Sequence, residues 1–239
     1  MEQLAAGAAR LGYALTSAQL SLFKTYRTEL MLWNEHTNLT SITDEAQVET
    51  RHFLDSLTVL LALDADEAVS PHLWILDVGS GAGCPGIPLK IVLPQARVSL
   101  LEATGKKVRF LRHLVTELGL SDTEVLQGRA EDLGRLPLHR EAFPLVVSRA
   151  VAQLATLAEF CLPFCSVGGS FIALKKGDVT LEIQKACAAI GLLGGDNPRV
   201  INVPPSLAGN DHCLVTIRKI APTPGRYPRR PGIPTKRPL

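Results

Sequence analysis

Residues Asp77-Val78-Gly79-Ser80-Gly81-Ala82-Gly83-Cys84-Pro85-Gly86 follow the apolar pair Ile75-Leu76 and place four glycines within eight positions. A buried strand that breaks into such a turn and then opens a helix is the pattern of a nucleotide-cofactor site. Glycine permits φ > 0 and close backbone approach, and the start of the helix turns free N–H groups toward a ligand. Gly81-x-Gly83-x-x-Gly86 satisfies the dinucleotide fingerprint. Glu102, closing the next apolar run, lies where an acid that binds a ribose diol belongs. Taken alone, these residues allow hydride chemistry with a nicotinamide dinucleotide.

Three features favour S-adenosylmethionine as the cofactor instead. Asp77 sits inside the strand before the glycines, a carboxylate better suited to a cationic group than to a pyrophosphate. Pro85 and Pro88 begin a helix that Pro94 soon interrupts, a poor mount for pyrophosphate. The third apolar run ends in Gly128-Arg129-Ala130-Glu131-Asp132, a loop with a small residue and two acids at which an adenine edge can be hydrogen-bonded.

The elements that must position these groups follow from periodicity. Leu20, Phe23, Tyr26, Leu30 and Trp33 share one helical face after a Thr16/Gln19 capping box, and a second helix is predicted from Asp44 to about Leu63. With the apolar stretch Leu4 to Leu11 these form a helical N-terminal cap, residues 1–70, ending near Asp64 to Pro71. Short apolar runs then alternate with helical stretches, predicting a βαβ series over residues 71–220 with a parallel sheet buried on both faces. Arg199 to Val203 and His212 to Ile217 are close in sequence, which predicts a closing antiparallel pair. From Ala221 to Leu239, six prolines alternate with Arg226, Arg229, Arg230, Lys236 and Arg237, predicting a mobile or surface-draped basic tail without helix or central strand.

The 239 residues are 46% hydrophobic with a formal charge of +2, enough for one generous core. The charge is uneven: residues 1–70 carry 4 basic and 10 acidic side chains, residues 211–239 carry 7 basic and 1 acidic. A polyanion would therefore meet the tail and local clusters such as Lys106, Lys107, Arg109 and Arg112. Lacking a signal-like N-terminus or an apolar run near membrane-span length, the chain is expected to be cytoplasmic and not membrane-bound. Five scattered cysteines, at 84, 161, 165, 187 and 213, read as reduced thiols, and no metal site is expected.

In combination, Asp77 to Leu89, Trp33-Asn34-x3-Asn38-Leu39-Thr40, Arg51-His52-x2-Asp55-Ser56, Lys106-x2-Arg109-Phe110-Leu111 and Ser148-Arg149-Ala150 resemble the glucose-inhibited division protein B family, ribosomal RNA small subunit methyltransferase G. The likeness runs from about residue 20 to the basic ending. It implies a class I S-adenosylmethionine-dependent methyltransferase, with a Rossmann-like seven-stranded sheet whose last strand is antiparallel. The implied reaction is methylation of N7 of a guanine in the decoding-region loop of 16S rRNA. Its cofactor contacts carry over onto Gly79, Cys84, Glu102-Ala103-Thr104, Ala130-Glu131 and Arg149, beside Asp77 and Gly81 from the turn itself. Cys84 stands where a larger apolar residue is usual, and Glu102 replaces a common aspartate with a longer reach.

Guanine N7 carries an in-plane lone pair and no proton, so its methylation needs no general base, and no catalytic residue is assigned. His52 and Arg149 are candidates for positioning the guanine or the cofactor. His52 can equally be a surface histidine beside an Arg51/Asp55 ion pair. Lys106, Arg109, Lys175, Arg226, Arg229 and Arg230 are the candidate contacts to RNA phosphate. The expected partner is 16S rRNA or the small ribosomal subunit, and a monomer is expected. The rivals are a nicotinamide-dependent oxidoreductase and a non-catalytic RNA-binding assembly factor on the same fold.

Overall fold

A computed structural model describes residues 1–64, 70, 72–149 and 151–239. Seven strands form one sheet: β1 (Trp74–Val78), β2 (Arg97–Glu102), β3 (Thr123–Gln127), β4 (Phe143–Arg149), β5 (Cys165–Lys176), β6 (Arg199–Asn202) and β7 (His212–Arg218). Their order is β3-β2-β1-β4-β5-β7-β6. β1 to β5 pair in parallel, and β7 runs antiparallel to both β5 and β6. The parallel βαβ series and the closing antiparallel pair are those that the periodicity predicts, and the seven-stranded sheet with its last strand antiparallel is the one that the resemblance implies.

Strand alternation builds two cores. Ile75, Val98, Leu100, Leu145, Val147, Ile172 and Leu214 face one side and pack with Phe23, Tyr26 and Leu30 of helix Ser17–Thr37 and with Phe110 and Leu114 of helix Gly105–Glu117. Leu76, Val78, Leu101, Val146, Phe171, Ala173 and Val215 face the other, against Leu154 and Leu157 of helix Leu154–Cys161 and Ile190 of helix Thr180–Leu192. Both faces being covered accounts for the near-continuous apolar strands. The N-terminal helices thus share the core of one sheet face. Most of the stretch where the cap was expected to end, 64–71, lies outside the described residues.

The Thr16/Gln19 capping box forms, and Asp44 caps the second helical stretch by accepting from Gln47 N at 2.8 Å. That stretch is not one regular helix. Glu45–Val48 leads into a π-helical segment, Glu49–Leu54, then an α turn, Asp55–Leu57, and a 3-10 end, Thr58–Ala62. π turns recur at functional sites, and here His52 and Asp55 both reach the end of β4.

The expected tail is corrected. It packs along helix Leu154–Cys161, buries Tyr227, and forms a short helix, Ile233–Lys236, with Pro234 in the first turn, where a missing N–H costs nothing. Arginine side chains satisfy carbonyls that the prolines leave without a ladder: Arg140 donates to Thr223 O at 2.6 Å and to Tyr227 O at 2.8 Å.

Candidate functional site

β1 lies between β2 and β4, so the chain changes direction across the sheet at its C-terminal end, the place where open α/β sheets bind ligands. A cavity of about 750 Å³ opens there. Its lining comes from Val78 to Ala82 and Cys84 at the end of β1, 101–104 at the end of β2, 128–131 after β3 and Arg149 with Val151 at the end of β4, joined by Leu39, His52, Phe160 and the tail. All the expected cofactor residues except Asp77 meet on this one surface.

The turn is shaped by specific glycine needs. Gly79 has φ +76°, and a Cβ there would come within 2.6 Å of the Val151 side chain. Gly86 begins helix Gly86–Val92, and a Cβ would come within 2.5 Å of Leu100 and 2.9 Å of Asp77 Oδ2.

Asp77 does not face the cofactor region. It is fully buried, and its Oδ2 accepts from Gly86 N at 2.9 Å while Oδ1 has no partner. Burial pushes its carboxyl up to about 7. The residue still argues against a dinucleotide, for a different reason: its carboxylate occupies the helix start where a pyrophosphate would bind.

Glu102 does point into the site. Gly81 N donates to its Oε2 at 3.1 Å and Thr104 N to its Oε1 at 2.7 Å, so two backbone groups hold the carboxylate at the cavity wall with lone pairs to spare for a diol. Cys84 sits behind the turn. Tyr26 OH donates to Ala82 O at 2.6 Å, which leaves its oxygen to accept from the Cys84 thiol at 3.3 Å. Burial pushes that thiol's pKa up, so it remains protonated.

His52 and Arg149 are brought together. His52 is 8% exposed, contrary to the reading of a surface histidine, and its expected neighbours are rearranged. Asp55 pairs with Arg149 Nη1 at 3.1 Å and not with Arg51, and Arg51 supplies only its carbonyl to the same guanidinium at 3.0 Å. Arg149 Nη2 also donates to His52 Nδ1 at 3.0 Å, and His212 Nδ1 lies 2.9 Å from Asp55 Oδ1. Asn34 Oδ1 accepts from Thr40 N at 2.9 Å and so sets the hydroxyl that His52 Nε2 meets at 2.7 Å.

The cationic positions divide into two groups. Lys106 and Arg109 are exposed on helix Gly105–Glu117, one and two residues from Lys107, which lines the cavity. Arg226 and Arg230 are also exposed. Lys175 instead pairs with Glu182 at 2.6 Å and donates to Ala152 O at 2.9 Å, and Arg229 forks onto the fully buried Glu159 through Nε and Nη2, at 2.9 and 2.6 Å. Both of these charges are committed within the fold.

Sequence reasoning missed Tyr26 as a support of the turn, His212 as a partner of Asp55, and the tail as part of the lining. Tyr26 carried a helical-face signal only. The other two contacts have no local signature, since His212 lies 157 residues from Asp55.

The model of one protein family, described as rRNA small subunit methyltransferase G, matches residues 19–203. A protein of Dehalococcoides mccartyi (strain CBDB1) named ribosomal RNA small subunit methyltransferase G is 48% identical over 240 residues, covering 100% of both chains. One of the same name from Pelotomaculum thermopropionicum is 47% identical, covering 100% of this chain and 98% of its own. Among solved structures, a SAM-dependent methyltransferase of Aquifex aeolicus superposes with TM-score 0.53 at 20% identity, covering 74% of this chain and 94% of that one. A SAM-dependent O-methyltransferase of Thermotoga maritima gives 0.52 at 16%, covering 70% and 65%.

Proposed function

The chain belongs to the rRNA small subunit methyltransferase G family, and on that premise we propose that it transfers a methyl group from S-adenosylmethionine to N7 of a guanine in the decoding-region loop of 16S rRNA. The observation that carries this reading is the Glu102 carboxylate held by Gly81 N–H and Thr104 N–H beside the glycine turn. It is an acceptor set for a ribose diol, next to a helix start closed to pyrophosphate by Asp77.

The residues fit the cofactor. Glu102 would take the ribose hydroxyls, Ala130 and Glu131 the adenine, and the backbone of Gly79 to Gly81 the amino-acid end. When bound, S-adenosylmethionine supplies a methyl group activated by a sulfonium. The protein's task is to align and enclose the reactants. Leu39, Val151 and Phe160 bring apolar surface to the cavity wall. Arg149, locked by Asp55, His52 and the Arg51 carbonyl, holds a fixed positive charge at the wall. Both nitrogens of His52 are engaged within the protein, so it acts by orienting Arg149. RNA phosphate is met by the exposed Lys106, Arg109, Arg226 and Arg230.

The form proposed is a cytoplasmic monomer acting on 16S rRNA or the small ribosomal subunit. Among the described residues no helix is long and apolar enough to cross a membrane. Neither the oxidoreductase nor the non-catalytic factor is supported. Titration calorimetry with S-adenosylmethionine and with NADH tests the cofactor: the first is expected to bind and the second not, and the reverse would reject the reading.

A further inference from the structure

The tail's place in the cavity has a consequence for cofactor binding. Gly232 N–H donates to Glu131 Oε1 at 3.0 Å, and Glu131 is only 4% exposed. Pro231, Gly232 and Thr235 line the same cavity as Glu102 and Ala130. We propose that residues 231–235 are a cofactor-binding element that completes the adenine end of the site. This rests on the reading above that S-adenosylmethionine occupies the cavity.

The chemistry is one of shared acceptors. A carboxylate offers two oxygens, and the tail takes one of them at Gly232. Oε2 is left to accept from an exocyclic amine, the donor that adenine presents. Pinning a flexible glutamate before the ligand arrives removes part of the ordering cost of binding. Gly232 adopts φ +81°, a left-handed conformation that aims its N–H at Glu131 and that glycine takes without steric cost.

The segment is anchored on both sides of that contact. Before it, Arg229 forks onto the buried Glu159, one residue from Phe160 of the cavity lining. After it, Thr156 Oγ1 donates to Pro234 O at 3.2 Å. Helix Leu154–Cys161 thus serves as the rail on which the tail is laid across the site. The exposed cations Arg226, Arg230, Lys236 and Arg237 remain outward, so one segment carries both a cofactor wall and a polyanion surface.

Two measurements test this. Hydrogen exchange on the full-length chain should show the amides of Gly232, Ile233 and Thr235 slowed by S-adenosylmethionine together with those of the glycine turn. A chain ending at Arg230 keeps the Arg229 fork but loses the Gly232, Pro234 and Leu239 contacts, so without ligand it should fold and melt at a lower temperature than the full chain. Calorimetry should find it binding S-adenosylmethionine and 5′-methylthioadenosine weaker by a common factor of about ten or more, the cost of a hydrogen bond to a charged group. Equal affinity in the shortened chain would overturn the proposal. If that chain does not fold, the exchange result decides, and unchanged protection at 232–235 would overturn it. A full-length chain that takes up no S-adenosylmethionine would instead reject the functional reading itself.

Discussion

The Arg149 guanidinium donates to Nδ1 of His52 at 3.0 Å, which places the single proton of the neutral imidazole on Nε2, 2.7 Å from Thr40 Oγ1. A guanidinium has no lone pair to offer, so no other arrangement satisfies both contacts. Asp55 continues the chain of contacts to His212 at the start of β7. The π-helical segment, the end of β4 and β7 therefore meet at one cation in the cavity wall.

Arg149→Lys should fail despite keeping the charge. An ammonium cannot span the Arg51 carbonyl, Asp55 and His52 in the planar fork that Arg149 uses. Loss of one or two charged hydrogen bonds, about 1.5–3 kcal/mol each, should lower methyl transfer by about tenfold or more. Steady-state assays of the variant check this, and wild-type activity would contradict it.

His52 sets an acid limb of stability. Burial, and then the Arg149 charge, push it down from 6.5 to about 4. The unfolded chain binds the proton as pH falls through about 6.5, while the folded ring resists until about 4. The stabilisation is complete above this range and is lost as pH falls across it, a change on the order of 3 kcal/mol. His52→Gln, which can still accept from Arg149, should show a flatter denaturant midpoint between pH 4 and 7. An unchanged slope would remove His52 from the account.

Asp77 works in the opposite sense over the same range. Burial raises it from 3.8 to about 7, so the folded chain retains a proton that the unfolded chain has released. Its contribution is present below about pH 4 and is lost as pH rises through 7. Asp77→Asn keeps an acceptor for Gly86 N–H and removes the buried charge. The variant should be at least as stable as the wild type at pH 8 and should bind S-adenosylmethionine within about threefold of it. A much larger loss of affinity would put the carboxylate back in contact with the cofactor.

The exposed and the committed cations should separate in salt titrations. Lys106→Ala and Arg109→Ala should each weaken RNA binding and reduce the slope of log K against log salt by about 1. Lys175→Met should leave that slope unchanged and lower stability, because Glu182 loses its 2.6 Å partner. Filter binding across a salt series, with thermal melts, distinguishes these outcomes.

What was legible in the sequence was local. The strand, the glycine turn and Glu102 lie within 29 residues, and their periodicity and spacing predicted a site that the sheet order then places at its switch point. Asp77 was read on the wrong side because the helix it caps begins nine residues later, and the turn between them hides which way the strand faces. Proline content argued against any helix in the tail, yet Ile233–Lys236 forms one short turn because Pro234 falls in its first turn, where no N–H is needed. It said nothing of Arg229 meeting Glu159, 70 residues away, or of carbonyls satisfied by Arg140. The π segment was invisible because one extra residue in a turn leaves an apolar pattern that still reads as a regular helix.

The central claim is tested most directly by incubating the protein with tritiated S-adenosylmethionine and, in parallel, 30S particles or naked 16S rRNA that lack the modification. Borohydride reduction and aniline cleavage of the product, read by reverse-transcription stops, locate any N7-methylguanine. The account expects tritium incorporation and a single new stop at one guanine of the decoding-region loop. Absence of transfer to either substrate, or label at a base that is not a guanine, would contradict it.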